Sequence, residues 1–198
     1  MDHHQGAAAR AEAEPGALTH PAVVQLRAVE RWLLEGLSES ARAQAHMEWE
    51  GFGAALLPLG ILFSAVRIPG RLVAVLAGVD APRDAPRALD VFLAEALHGG
   101  PVICDPHRGW RFYALVPVSV PQTWAQATEG GRQDLDTEVL GPGWSVGVPR
   151  VAAVGYPAHG LVASYWSVPM TSPGHLCEPL RVARLIGEAA HQLTGKDM

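Results

Sequence analysis

An α+β fold is predicted for this chain: a mainly antiparallel central sheet of hairpins, with helices at both chain ends and between strands. Three observations carry it. Apolar residues recur at three- and four-residue spacing near both ends, alternating β-branched and aromatic stretches fill the middle, and a turn bearing Pro and Gly folds two of those stretches back on each other. With 198 residues the chain suits one domain, expected over 19–198. Residues 1–18 lack periodicity and are expected to be a disordered tail.

Thr19 can cap the first helix, with Pro21 in its opening turn where a missing amide costs little. Val23, Leu26, Val29, Leu33 and Leu37 then define one stripe to be buried, while Gln25, Arg27, Arg31 and Glu35 face water. Ser38 starts a second, more polar helix to about residue 48. Trp32 and Trp49 are expected to pack this pair onto the sheet. Strands follow at 54–57 and 62–68. The second sends Leu62, Ser64, Val66 and Ile68 to one face and Phe63, Ala65 and Arg67 to the other. Pro69 ends it, and a short helix at 71–77 stops at Gly78.

Residues 80–86 carry two prolines and read as a loop. Residues 87–98 form the next helix, burying Leu89, Phe92, Leu93, Ala96 and Leu97 and ending at Gly99 and Gly100. The clearest hairpin comes next, with strands at 102–104 and 110–116 around a turn at 105–109. A bend and helical turn at 118–124 and a polar loop at 127–136 lead to a second strand pair, 144–148 and 162–168, expected to complete the sheet. Residues 178–193 close the chain as an amphipathic helix with Leu180, Ala183, Leu185, Ile186 and Ala190 inward.

Composition excludes several classes. No apolar run reaches the roughly 18 residues of a membrane helix; the longest, around 54–66, is broken by Pro58, Gly60 and Ser64. The opening residues show no apolar leader, so a cytoplasmic protein without a membrane partner is expected. Cys104 and Cys177 are too few for a disulfide framework. A net charge of −5 argues against holding nucleic acid by bulk positive field. Fourteen of the fifteen basic residues are arginine, Lys196 being the exception, and they are scattered as a GC-rich genome would write them. No phosphate-cradling glycine loop, no nucleophile elbow and no His-Glu-x-x-His occurs, and no cofactor is expected.

Residues 108–117, Arg-Gly-Trp-Arg-Phe-Tyr-Ala-Leu-Val-Pro, and the segment 134–169, with Gly141-Pro142-Gly143, Trp144-Ser145-Val146-Gly147-Val148-Pro149, His159-Gly160 and Tyr165-Trp166, carry a family resemblance. They resemble two hairpins of the bifunctional DNA primase/polymerase N-terminal (prim-pol) domain, a branch of the archaeo-eukaryotic primase superfamily. The resemblance implies a bacterial cytoplasmic domain with a groove for single-stranded nucleic acid or a nucleotide near Arg108, Trp110, Arg111, Phe112, His159 and Tyr165. It also implies metal-holding carboxylates on a strand and a histidine after the paired glycines. Both are missing here. Residues 62–68 contain no carboxylate, and Gly109 is followed by Trp110 and Arg111. A degenerate, non-catalytic relative is therefore expected.

Other constellations stay open beside it. Asp105 and His107, in the hairpin turn, could serve a small metal-dependent hydrolase, or Asp105 could simply bond its own backbone. His175 and Cys177, with Cys104 and His107, could supply four zinc ligands if their loops converge. Glu129, Asp134, Asp136 and Glu138 form an acidic stretch, read as a solvated loop or a cation site. The aromatic residues Trp110, Phe112, Tyr113, Trp144, Tyr165 and Trp166 could stack bases or fill the core, with Trp110 and Phe112 as the best exposed platform. A structural or protein-interaction domain, meeting its partner through an aromatic sheet face or the Trp32 helix, is the remaining alternative.

Overall fold

Strands whose two faces are both apolar must be covered on both sides, and that requirement sets the architecture here. The computed structural model describes residues 20–107, 109–128, 135–156 and 164–195, so the expected tail lies outside the described residues. The fold is α+β, with one antiparallel sheet of five strands and a second of two. The large sheet has the order β5 (Glu138–Leu140), β2 (Ser64–Pro69), β4 (Arg111–Val116), β3 (Val102–Asp105), β7 (Tyr165–Val168).

Alternation along these strands feeds two cores. Val66 and Ile68 of β2, Phe112, Ala114 and Val116 of β4, and Val102 and Cys104 of β3 face one core. There they meet α3 (Gly70–Ala77), α4 (Pro86–Ala96) and α6 (Pro179–Gly195). Phe63, Ala65, Leu115, Ile103 and Trp166 face the other core. That side is closed by α1 (Pro21–Leu33), α2 (Glu39–Phe52) and a ribbon of β1 (Ala54–Pro58) with β6 (Ser145–Pro149). The expected alternation matches the two cores at Phe63, Ala65, Val66 and Ile68, but the strand begins at Ser64, and Leu62, expected on the Val66 face, packs against the Phe63 core because it lies before the strand. Trp49 is buried and its indole N–H donates to the Val148 carbonyl at 2.8 Å, tying α2 to the ribbon. Trp32 meets Phe63 with ring centroids 6.1 Å apart.

Several boundaries and partners differ from expectation. His20, not Thr19, occupies the N-cap of α1, and its Nδ1 accepts from the amide of Ala22. The α1 stripe is buried only at Val29 and Leu33; Val23 and Leu26 rim an open hollow with Trp49, Arg150 and Val151. Helix α2 runs past residue 48 to Phe52, where Gly53, at φ 76°, ends it in the left-handed conformation. The stretch expected as a helical turn is α5 (Val120–Thr128), and β5 was not anticipated.

The second hairpin does not form: β6 pairs with β1, and β7 pairs with β3. Alternating apolar strands accept any partner of matching face, so a pairing between distant segments is settled by tertiary packing. In α6 the buried residues are Val182, Leu185, Ile186 and Ala189, and Leu180 is 73% exposed. Two residues amount to about 200° around a helix, which turns Leu180 away from the Val182 face.

One junction links this scaffold to the site. Trp110 precedes β4 with φ 57°, in the left-handed region that a bulky residue rarely enters. Its carbonyl accepts from the Gly70 amide at 2.7 Å, and a Cβ on Gly70 would lie 2.6 Å from the Trp110 Cβ. Gly70→Ala should therefore destabilise the fold by roughly 1–3 kcal/mol, the usual cost of overpacking against atoms that cannot retreat. Urea unfolding measures this, and an unchanged midpoint would show that the junction yields freely.

Candidate functional site

The site grows from the edge strand β7. Register between β3 and β7 shifts after the Val102–Val168 pair, so that Ile103 faces Trp166 and Ser167 is the extra residue of a β-bulge. Alternation puts Ser167 on the same side as Tyr165, toward α4, and the bulge lets the next residue, Val168, face that core as well. The Ser167 hydroxyl donates to Asp90 Oδ1 at 2.5 Å, and the Tyr165 hydroxyl donates to the same oxygen at 3.3 Å. Helix α4 thus holds one carboxylate over two strand hydroxyls. Burial pushes the Asp90 carboxyl up to about 6, although the hydroxyls of Ser167 and Tyr165 oppose that shift by stabilising the anion. Burial also raises the Tyr165 hydroxyl and the neighbouring Cys104 thiol, keeping both protonated.

A short segment lies along the outer edge of β7. Trp166 donates its amide to the Ala153 carbonyl at 2.8 Å, and Gly155 donates to the Trp166 carbonyl at 3.0 Å. This satisfies edge groups that would otherwise be open to another chain. It also delivers Tyr156, whose ring centroid lies 5.8 Å from that of Tyr165 and 5.4 Å from that of Trp110. Trp110, Tyr156 and Tyr165 therefore form a continuous aromatic row leading to Asp90. A cleft of about 440 Å³ opens beside it between α4 and the 154–156 segment, lined by Arg87, Asp90, Val91, Val154, Tyr156 and Ser167 among others.

A smaller hollow of about 150 Å³ lies on the other side of Trp110, lined by Arg67, Arg71, Arg111 and Asp136. Arg67 is bridged to Asp136 at 3.4 Å and to Glu138 at 3.1 Å, and Arg71 donates to the Leu135 carbonyl at 3.2 Å. Three guanidinium groups thus gather at this hollow, with Asp136 and Glu138 on Arg67 and Asp105 directly opposite Arg111 on β3. A larger groove along α1 and α2, of about 930 Å³, mixes Arg27, Arg31 and Arg42 with Glu30 and Glu35. Its opposed charges converge on no single group.

Of the residues expected at a ligand site, Trp110 and Arg111 line the arginine hollow. Phe112 does not form an exposed platform. It is fully buried in the helix-covered core, because alternation along β4 turns it inward. Tyr165 is 1% exposed and acts by holding Asp90 rather than by offering its own face. Arg108 and His159 lie outside the described residues, as do Glu129 and Asp134.

Among the described residues the metal candidates are not assembled. Asp105 accepts from the His107 amide at 2.8 Å, the turn geometry in which an aspartate bonds its own backbone. The Cys177 thiol donates to the Pro101 carbonyl at 3.3 Å in the core, and burial pushes it up to about 12. His175 pairs with the Thr171 hydroxyl at 3.3 Å. Among the described residues, no three His, Cys, Asp or Glu side chains are grouped to hold a metal ion. Asp136 and Glu138 are engaged with Arg67.

Asp90, Ser167 and Tyr156 were not singled out from sequence. One signal existed: Tyr165 and Ser167 are two apart on a strand, so their hydroxyls share a face, and two buried hydroxyls need a polar partner. No protein-family model, no curated protein and no solved structure matches this chain.

Asp90 makes stability depend on pH. Its folded value of about 6 lies above the ordinary 3.8, so the folded state holds the proton more tightly. That contribution is complete below about pH 4 and lost as pH rises through about 6. Asp90→Asn abolishes this dependence. Urea midpoints should show the variant gaining on wild type between about pH 4 and 7; a constant difference would contradict the assignment.

Proposed function

We propose that this protein is a non-catalytic, primase/polymerase-like binding domain that takes single-stranded nucleic acid or a nucleotide where Trp110, Tyr156 and Arg111 stand. The observation that carries the reading is the Trp110–Tyr156 ring pair, 5.4 Å between centroids, with an arginine-lined hollow on one side and a carboxylate cleft on the other. An aromatic face stacks any base, guanidinium groups meet phosphate, and hydrogen-bonding groups beside the face meet the base edge. Trp110 is held in a strained backbone conformation by Gly70, and such strain concentrates where geometry is used. The segment 62–68, free of Asp and Glu, supports a binding role without nucleotidyl transfer.

A labelled single-stranded oligonucleotide, titrated in dilute buffer and then at rising salt, tests the reading. Binding should weaken with salt as phosphate contacts are screened. Trp110→Ala should weaken it by roughly 1–3 kcal/mol, the worth of one stacked base. Absence of binding in dilute buffer, where phosphate contacts are strongest, would sink the proposal.

A protein-interaction role is the second reading, favoured by apolar side chains left outside both cores. Phe52 at the end of α2 is 77% exposed and Leu56 on the outward face of β1 is 67% exposed. Self-association through that face should appear in sedimentation velocity and be lost in Leu56→Asp. A monomer at all concentrations removes self-association as the purpose of this face.

A further inference from the structure

We propose that the Asp90 cleft reads guanine: Asp90 Oδ2 accepts the N1–H and 2-amino N–H of a guanine whose ring lies against Tyr156. The inference rests on the binding role proposed above and names the base that role selects.

The geometry that points to it is the division of labour between the two carboxylate oxygens. Ser167 and Tyr165 both donate to Oδ1. Oδ2 has no hydrogen-bond partner among the described residues and is not sealed from solvent. One oxygen is thus anchored, the carboxylate is fixed in orientation, and the other oxygen is available to the cleft. With its carboxyl at about 6, Asp90 is mostly ionised at neutral pH and can only accept hydrogen bonds.

Few planar ligands offer an acceptor-only group what it needs. Guanine presents two adjacent N–H donors on its pairing edge. Adenine and cytosine place a ring-nitrogen acceptor beside the amino group, and uracil and thymine set their one ring N–H between two carbonyls; either arrangement brings a lone pair against the carboxylate. The cleft walls suit a flat ring. Tyr156 is 42% exposed and brings an aromatic ring to the lining, while Val91 and Val154 supply apolar rims. Arg87 lines the same cleft and provides positive charge for the phosphate that accompanies the base.

Short labelled oligothymidines carrying one central guanine, hypoxanthine, adenine or cytosine test this in dilute buffer at neutral pH. Hypoxanthine keeps the ring and N1–H of guanine and lacks only the 2-amino group. The guanine strand should bind about tenfold more tightly than the hypoxanthine strand, the effect of one hydrogen bond to a charged acceptor. Asp90→Asn, its fold checked by circular dichroism, should bring the two strands together. The ligand series on wild type tests the proposal even if that variant fails to fold.

Competition by free guanosine monophosphate, but not inosine monophosphate, would assign the same chemistry to a free nucleotide; competition by neither, with guanine preferred in the strand, would assign it to single strands. Both outcomes support the inference. Equal binding of all four strands would overturn it while leaving the binding role intact, and binding of no strand or nucleotide would overturn both.

Discussion

Two-sided burial of the central sheet is the constraint on which the rest of this structure depends. Strand β4 sits in the middle of five, and its residues alternate between two separate cores without a solvent-facing side. Such a strand cannot slip by one residue, because every side chain would change core. Neighbours β2 and β3 inherit that register through continuous antiparallel ladders. Helices α3, α4 and α6 then cover one face, and the ribbon of β1 and β6 with α1 and α2 covers the other.

A sheet closed on both faces leaves its ends and edges as the places where chemistry can be presented. The β2–β4 register sets Pro69 opposite Arg111, bringing the start of α3 against Trp110. Gly109 and Trp110 are both left-handed at this junction, and the Trp110 indole packs against the Tyr156 ring. At the opposite edge, the bulge in β7 and the covering segment 153–155 protect the strand. The covering segment also brings Tyr156 against Tyr165, which with Ser167 holds Asp90. Protecting an edge and building a cleft are here the same structural act.

Electrostatics follow from that placement. A carboxylate at the base of a cleft loses hydration, and two hydroxyl donors recover only part of what is lost, which holds Asp90 within reach of neutral pH. Beside Trp110, Arg67 is held by Asp136 and Glu138, which fix the orientation of its guanidinium. The aromatic row thus separates an acceptor cleft from a donor hollow. A nucleotide, with a flat base and an anionic phosphate, has the same separation of character.

Local chemistry alone determined much of this protein. Pro21, Ser38, Gly78 and the glycines after α4 punctuate helices near where they begin or end. Period-two alternation identified strands at 62–68 and 110–116, close to the observed β2 and β4, and for the first of them the two faces from Phe63 onward. These features are legible because each rests on residues within a few positions of one another. Which strand lies beside which is another matter: β6 with β1 and β7 with β3 were decided by packing between distant segments. The same holds for the site. Trp110 and Arg111 could be read from their strand, but Phe112 was misplaced by one step of alternation. Asp90 became significant only when the fold set α4 over the bulge at Ser167, 77 residues away in the chain. A carboxylate on a helix has no special meaning in sequence; burial and two hydroxyl partners give it one, and both arise from tertiary structure.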